Sequence, residues 1–179
     1  MESANKNKIL AAAITGVIIC LAIVLFPKSE PKDPYIGDMT EEEIDKSIPA
    51  IQVYYYIKKY SKEYGIPEKY AFGVAYQETR YQGPLDSGYN PRQSSFAGAV
   101  GPMQIIPRYA HKHAGRRITR KELKNNIKLN VKVSMSMLKD WHEIHKDWGL
   151  AFGAYNTGSP CVNRYAREIL NCNYNWIKK

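Results

Sequence analysis

"AYQETRYQGP", residues Ala75–Pro84, sets one carboxylate, Glu78, at the end of an otherwise apolar helical stretch. Ala71, Val74 and Ala75 precede it by seven, four and three positions, so the four side chains share one face of a helix. Pro67 suits a first helical turn and Gly83-Pro84 cannot continue one, which predicts a helix from about Pro67 to about Arg80 with Glu78 in its last turn, facing the core. Negative partial charge at that helix end and an apolar surround both disfavour ionisation, so the carboxyl pKa is pushed upward. The arrangement costs stability. A carboxyl kept protonated near neutral pH is what a general acid requires. A structural alternative stands beside that reading, in which Glu78 reaches solvent or pairs with Arg80.

The surrounding chain has 179 residues, 44% hydrophobic and 24% charged, which fits one compact domain with an appendage. "ILAAAITGVIICLAIVLF", residues 9–26, runs eighteen positions without a charge, just long enough to span a bilayer as a helix. No small-x-small cleavage site comes after it before "PKSEP", and Ile19 rather than a small residue precedes Cys20, so residues 1–27 are expected to be an uncleaved signal anchor. Lys6 and Lys8 precede the span, whereas residues 28–46 hold three Lys against seven Asp and Glu. That asymmetry predicts a single-pass inner-membrane protein with a cytoplasmic N-terminus and a periplasmic domain. Residues 28–46, Pro-rich and acidic, read as a linker, and residues 47–179 as the domain.

Of the net charge of +9, residues 1–27 carry +1 and residues 28–46 carry −4, which leaves +12 on the domain. Much of it lies in "RYAHKHAGRRITRKELK", where Arg108, Lys112, Arg116, Arg117, Arg120, Lys121 and Lys124 stand against Glu122 alone. No recognition-helix, zinc-finger or aromatic-strand motif accompanies the cluster, and the extracytoplasmic address argues against nucleic acid. Cell-wall carboxylates or anionic lipid headgroups fit it better, and a solvated basic loop is the structural alternative.

Periodicity past the anchor is helical. "SIPAIQVYYYIKKYSKEYG" offers Ser47 as a cap, Pro49 in the first turn, apolar or aromatic residues at 50, 53, 54, 57, 60 and 64, and Gly65 as a stop. "NVKVSMSMLKDWHEIHK" carries a stripe through Val131, Met135, Leu138 and Trp141, read as core, and "WGLAFGAYN" and "SPCVNRYAREIL" predict two further short helices. Strand signals are weak. Residues 81–120 read as a long irregular stretch rich in Gly, Ser and Pro, and loops of that length in compact domains are often functional.

Three segments in order, "AYQETRY", "SSFAGAVGPMQIIP" and "AFGAYNTG", resemble the lytic transglycosylases of the lysozyme-like superfamily. That family carries a Glu-Ser helix end, a Ser-x-x-Gly-Ala-x-Gly-Leu-Met-Gln loop and an Ala-Tyr-Asn-Ala-Gly turn. The resemblance covers roughly residues 50–170, and "NVKVSMSML" adds a weaker match, with Asn130 at the Asn of the family's Asn-Ile-x-x-Gly helix and Ser134 where Gly is usual. It implies a mostly α, lysozyme-like catalytic domain, here behind an N-terminal transmembrane helix. Glu78 is implied as the catalytic acid, with Thr79, Ser95, Gly98, Gly101, Met103, Gln104, Tyr155 and Asn156 as the substrate-binding set. Thr79 replaces the usual Ser, Pro102 replaces Leu and Thr157 replaces Ala. Pro102 deletes an N–H, which would weaken binding if that N–H met sugar. For Gly98, Gly101, Gln104, Tyr155 and Asn156, turn formation or ordinary packing is the alternative role.

The resemblance implies a peptidoglycan substrate and one carboxyl where most glycosidases use two. Asp86 is the nearest second carboxylate, but it matches no motif and is not assigned catalysis. The "HEIH" of His142–His145 lacks the zincin spacing, so neither metal nor cofactor is expected. Cys161 and Cys172 are candidates for a disulfide in an oxidising compartment. A helix over residues 161–170 would advance about 14 Å, so Cys172 would have to fold back. A goose-type lysozyme-like hydrolase is the alternative within the enzyme class. A wall-binding assembly protein with dispensable cleavage is the alternative outside it, in a secretion, conjugation or phage apparatus.

Overall fold

The computed structural model describes residues 32–173, and the expected span at residues 9–26 lies outside them. Among the described residues no helix is long and apolar enough to cross a membrane. Eight helices are present among the described residues: α1 (Glu41–Lys46), α2 (Pro49–Tyr64), α3 (Glu68–Thr79), α4 (Pro107–Ala114), α5 (Arg120–Asn125), α6 (Ile127–His145), α7 (Trp148–Thr157) and α8 (Arg164–Leu170). Isolated antiparallel bridges, Ser94 to Val100 and Val100 to Ile105, are the strand-like features described between α3 and α4.

The central element is α6, against which α2, α4, α5 and α7 pack, while α8 closes the other side against α3 and α7. Its boundaries come from local chemistry. Asn126 caps its start by accepting from the Leu129 amide at 2.8 Å, and Lys146 ends it in the left-handed region. Val131, Met135 and Leu138 are buried on α6 as the stripe predicts, but Trp141 is half-buried and lines a cleft, so the stripe leaves the core one turn before the helix ends. Helix α2 begins with Pro49 in its first turn and ends at Gly65 in the left-handed region. Its N-cap is Ile48 rather than the expected Ser47, whose hydroxyl instead donates to Ile44 O at 2.7 Å and finishes α1.

Residues 28–46, read as linker, thus contain a helix. Thr40 and Glu43 form a capping box that starts α1, and Ile44 is fully buried. Glu41 accepts from both Lys59 on α2 and Lys128 on α6, so the acidic run is neutralised locally and packs on the domain from Pro34 onward. Likewise α4 occupies part of the stretch expected to be irregular, started by Pro107 in its first turn and stopped by Gly115.

Helices α7 and α8 meet through a close approach: a Cβ on Gly153 would lie 1.8 Å from Cys161 O. Only glycine permits that packing. Residues 161–163 turn ahead of α8, the Asn163 amide donating to Cys161 O at 2.9 Å, and α8 begins at Arg164 rather than near Ser159. The expected Cys161–Cys172 disulfide is not formed. Cys161 is exposed beside α7, whereas Cys172 Sγ lies against α3 and donates to Lys69 O at 3.2 Å.

Candidate active site

Glu78 sits in the last turn of α3, whose apolar face, Ala71, Val74 and Ala75, is fully buried. Arg80 caps the helix in the left-handed conformation and is exposed, its guanidinium stacked on Tyr76 at 5.2 Å. That turn separates Arg80 from the carboxyl, and Glu78 instead accepts a 2.7 Å hydrogen bond from the Tyr165 hydroxyl on α8. Burial raises the Glu78 pKa from 4.5 to about 7, and the Tyr165 hydrogen bond, which favours the carboxylate, offsets part of the rise. The side chain is half-buried at the wall of a cleft of about 1010 Å³.

One wall of this cleft is the loop 95–106. Gly101 has φ +84°, and a Cβ there would stand 2.2 Å from Asn130 Nδ2, so the loop can lie on α6 only with glycine at this position. Asn130 is fully buried, and its amide does three things. Nδ2 donates to Val100 O at 2.9 Å and to Leu123 O at 3.1 Å, and Oδ1 accepts from the Met103 amide at 3.0 Å. Thr79 fixes the same loop from the other side: its hydroxyl lies 2.7 Å from Tyr89 Oη and donates to Pro102 O at 2.9 Å or Ala75 O at 3.2 Å. The opposite wall comes from α7 and the turn after it. Tyr155 there donates to Met103 O at 2.7 Å, while its hydroxyl oxygen lies 2.9 Å from Ser134 Oγ. Ser134, in place of the usual Gly, therefore supplies a second partner for the buried tyrosine hydroxyl.

The cleft brings together Glu78, Ser95, Gln104, Tyr155 and Asn156. Ser95 organises the loop by accepting from the Ala99 amide at 3.1 Å, and Gln104 Nε2 donates to Gly101 O at 2.9 Å and Gln93 O at 3.3 Å. Asn156 accepts from Asn163 at 3.3 Å. Thr79, Gly101 and Met103 lie buried behind the wall, and Gly98 takes φ +87° at the loop's turn. Pro102 is buried too and does not line the cleft. Two groups escaped sequence reasoning. Tyr165 is 87 positions from its partner and carries no spacing signal, and Ser134 stood out only as a departure from a motif.

Asp86 accepts from the Gly88 amide at 3.2 Å in its own turn and does not line the cleft. The cleft's other carboxylate, Asp140, is 3.2 Å from Lys112 Nζ and 3.6 Å from His113 Nδ1. Among the described residues no group of three or more His, Cys, Asp or Glu could hold a metal ion. His142 stacks on Trp148 at 3.9 Å and His145 on Trp141 at 5.8 Å.

Among solved structures the chain is similar to the 70-kDa soluble lytic transglycosylase in its complex with bulgecin A, and to the 70-kDa soluble lytic transglycosylase SLT70 from Escherichia coli. Each is 25% identical over 64% of this chain, with a TM-score of 0.49, and the match spans 18% of the length of those enzymes. No curated protein matches the chain. The family model described as "Transglycosylase SLT domain" matches residues 55–173, well over half of the sequence. Because that match takes in Glu78, the loop that walls its cleft and the α7 turn opposite, and spans well over half of the sequence, the chain belongs to the transglycosylase SLT domain family.

Proposed function

We propose that this chain is a membrane-anchored peptidoglycan lytic transglycosylase that uses Glu78 as its single catalytic carboxyl. The observation that carries the reading is the Glu78 carboxyl in the cleft wall, raised by burial to about 7 and oriented by Tyr165. At neutral pH such a group is present in both forms, so it serves in turn as acid and as base.

The protonated carboxyl gives its proton to the glycosidic oxygen between MurNAc C1 and GlcNAc. The C1–O bond breaks and the sugar gains oxocarbenium character, which the N-acetyl carbonyl oxygen stabilises. Glu78, now ionised, takes the proton of the MurNAc 6-hydroxyl, and O6 bonds to C1 to close a 1,6-anhydro ring. The proton returns to Glu78 and no water is consumed. Two features favour this route over hydrolysis. Asp86 lies outside the cleft, and Asp140 is engaged by Lys112, so neither is placed as a base for water.

The product decides the reading. Muropeptides released from sacculi should be non-reducing anhydro species, lighter by one water and unaltered by borohydride. Predominantly reducible, hydrated MurNAc ends would replace the reading by a lysozyme-like hydrolase. Anchoring rests on the uncharged run at residues 9–26, flanked by Lys6 and Lys8, and gives an inner-membrane protein with a periplasmic domain. An enzyme so held acts on wall close to the membrane, a setting suited to local opening for a secretion, conjugation or phage apparatus. A reporter fused after Lys179 should be periplasmic and sediment with membranes, and release as soluble protein would overturn the anchor.

A further inference from the structure

A second hollow, of about 480 Å³, opens between α1, the start of α2, α5 and the loop around Asn90, and it shares no lining residue with the cleft around Glu78. Arg92 and Lys124 line it. Leu123 is buried beneath α5, while Lys121 and Lys124, three positions apart, share one face of that helix with exposed Arg120 beside them. Among the described residues none of these four cations has an ion-pair partner, whereas neighbouring Arg116 is held by Glu122 at 2.9 Å. Asp45, the hollow's own carboxylate, already accepts from the Tyr56 hydroxyl. Like charges gathered this way repel one another until an anion meets them.

The placement says what kind of anion. Arg120 and Lys121 lie outside the hollow, so one small ion seated in it leaves both unmatched, whereas a surface that bears many phosphates meets all four cations. Only residues 27–33 stand between the uncharged run and the segment that packs on the domain from Pro34 onward, a sequence separation that covers at most about 25 Å. Helix α1, which follows that segment, forms one edge of the hollow through Asp45.

We propose that the α5 face and the adjoining hollow dock on anionic phospholipid headgroups, with Arg92 and Lys124 taking lipid phosphates in the hollow and Arg120 and Lys121 resting on the headgroups around it. The inference rests on the anchored reading above and deepens it, because the docked face leaves the Glu78 cleft, which shares none of these residues, open to the wall. Each cation brought to an anionic leaflet favours the docked state about fivefold, and the attraction fades as the Debye length falls from about 10 Å at 0.1 M salt to about 3 Å at 1 M.

The test is lysine acylation, read by mass spectrometry, of the full-length chain in nanodiscs of phosphatidylcholine alone or with an equal part of phosphatidylglycerol. Lys62 and Lys146, both exposed, serve as references. At 0.1 M salt the anionic discs should slow acylation of Lys121 and Lys124 by about fivefold or more relative to the zwitterionic discs and leave Lys62 and Lys146 unchanged, and 1 M salt should remove the difference. Arg92→Glu combined with Arg120→Glu should also remove it, and Arg92→Lys combined with Arg120→Lys should keep it. Equal acylation in both discs, protection spread evenly over all four lysines, or protection of the same size from inorganic phosphate in detergent, the mark of a small-anion site, would each overturn the proposal. The same preparations score the anchor separately. Failure to enter zwitterionic discs would sink the anchor, and protection of Lys121 and Lys124 by added anionic discs would then keep the docking face. Entry into zwitterionic discs with equal acylation in both would do the reverse.

Discussion

Replacing Glu78 by Gln tests the site through stability as well as through activity. Glutamine keeps an oxygen to accept from Tyr165 and the same side-chain length, but it cannot ionise. Below pH 4.5 the wild-type carboxyl is protonated in both folded and unfolded chains, and the substitution should be close to neutral. Between 4.5 and about 7 the folded chain holds a proton that the unfolded chain has lost, so wild-type stability falls as pH rises through this window. Above about 7 the folded carboxyl is ionised and the full cost is present, roughly 3 kcal/mol at ~1.4 kcal/mol per pKa unit. Glu78→Gln should therefore gain on wild type with rising pH, from almost no difference at pH 4 to an excess of roughly 10 °C in Tm at pH 8.5 for a domain of this size. Other titrating groups are common to both proteins and cancel in the difference. The assay is paired thermal denaturation of the two full-length proteins in detergent from pH 4 to pH 9, with release of muropeptides from sacculi measured in parallel. A Tm gap that does not change with pH would refute the buried-carboxyl argument. Activity above about a tenth of wild type would refute the acid role, because loss of a general acid ordinarily costs on the order of a hundredfold or more.

Tyr165→Phe removes the hydrogen bond that holds the Glu78 pKa down, so the alkaline limb of the pH–rate profile should move upward and kcat at neutral pH should fall several-fold as the carboxyl loses its orientation. A profile that stays in place would show that Tyr165 does not touch the working carboxyl. Asn130→Ala strands the Met103 amide and removes one hydrogen bond each from Leu123 O and from Val100 O, which keeps its bond from the Ile105 amide, and should cost about 2 kcal/mol or more in denaturant unfolding. Gly153→Ala forces a methyl into Cys161 O and should destabilise by about 3 kcal/mol, read by the same unfolding curves, while Gly158→Ala, with open space around it but φ +78°, should cost nearer 1 kcal/mol.

Much of the fold was legible because the helices that build it carry their own punctuation. Pro49 and Gly65 bracket α2, and Asn126 sits ahead of an apolar stripe that becomes α6. Glu78 was legible for the same reason: a lone carboxylate on a helical apolar face conflicts with its surroundings, and such a conflict is visible without coordinates. The features that could not be read depended on contacts between distant segments. Helix α1 looked like acidic linker because Lys59 and Lys128, which neutralise Glu41, lie on two other helices. Helix α4 hid in a stretch dominated by cations and histidines, where periodicity is masked by Arg108, His111, Lys112 and His113. The candidate disulfide required Cys172 to fold back toward Cys161, whereas Cys161 O lies against Gly153 of α7 and Cys172 lies against α3. Motif membership also conceals a division of labour: Ser95, Gln104 and Asn156 face the cleft, while Thr79, Gly101 and Met103 hold it from behind.

That division explains how the domain tolerates a carboxyl whose ionisation costs roughly 3 kcal/mol. The hydrogen bonds that build the cleft wall do not include the Glu78 carboxyl. Asn130 binds three backbone groups, Thr79 has three hydroxyl or carbonyl partners, and Tyr155 joins Met103 O to Ser134, all through neutral side chains that do not titrate between pH 4 and 9. Burial holds the Tyr155 phenol well above its ordinary value, which keeps this hydroxyl a donor throughout that range. The wall should therefore keep its shape while Glu78 changes protonation state. The two kinds of substitution should then separate experimentally. Asn130→Ala should lower stability by the same amount at pH 5 and pH 8.5, and Glu78→Gln should act almost entirely at the higher pH. If the cost of Asn130→Ala instead varied with pH as that of Glu78→Gln does, the wall and the carboxyl would be one coupled network rather than two independent ones.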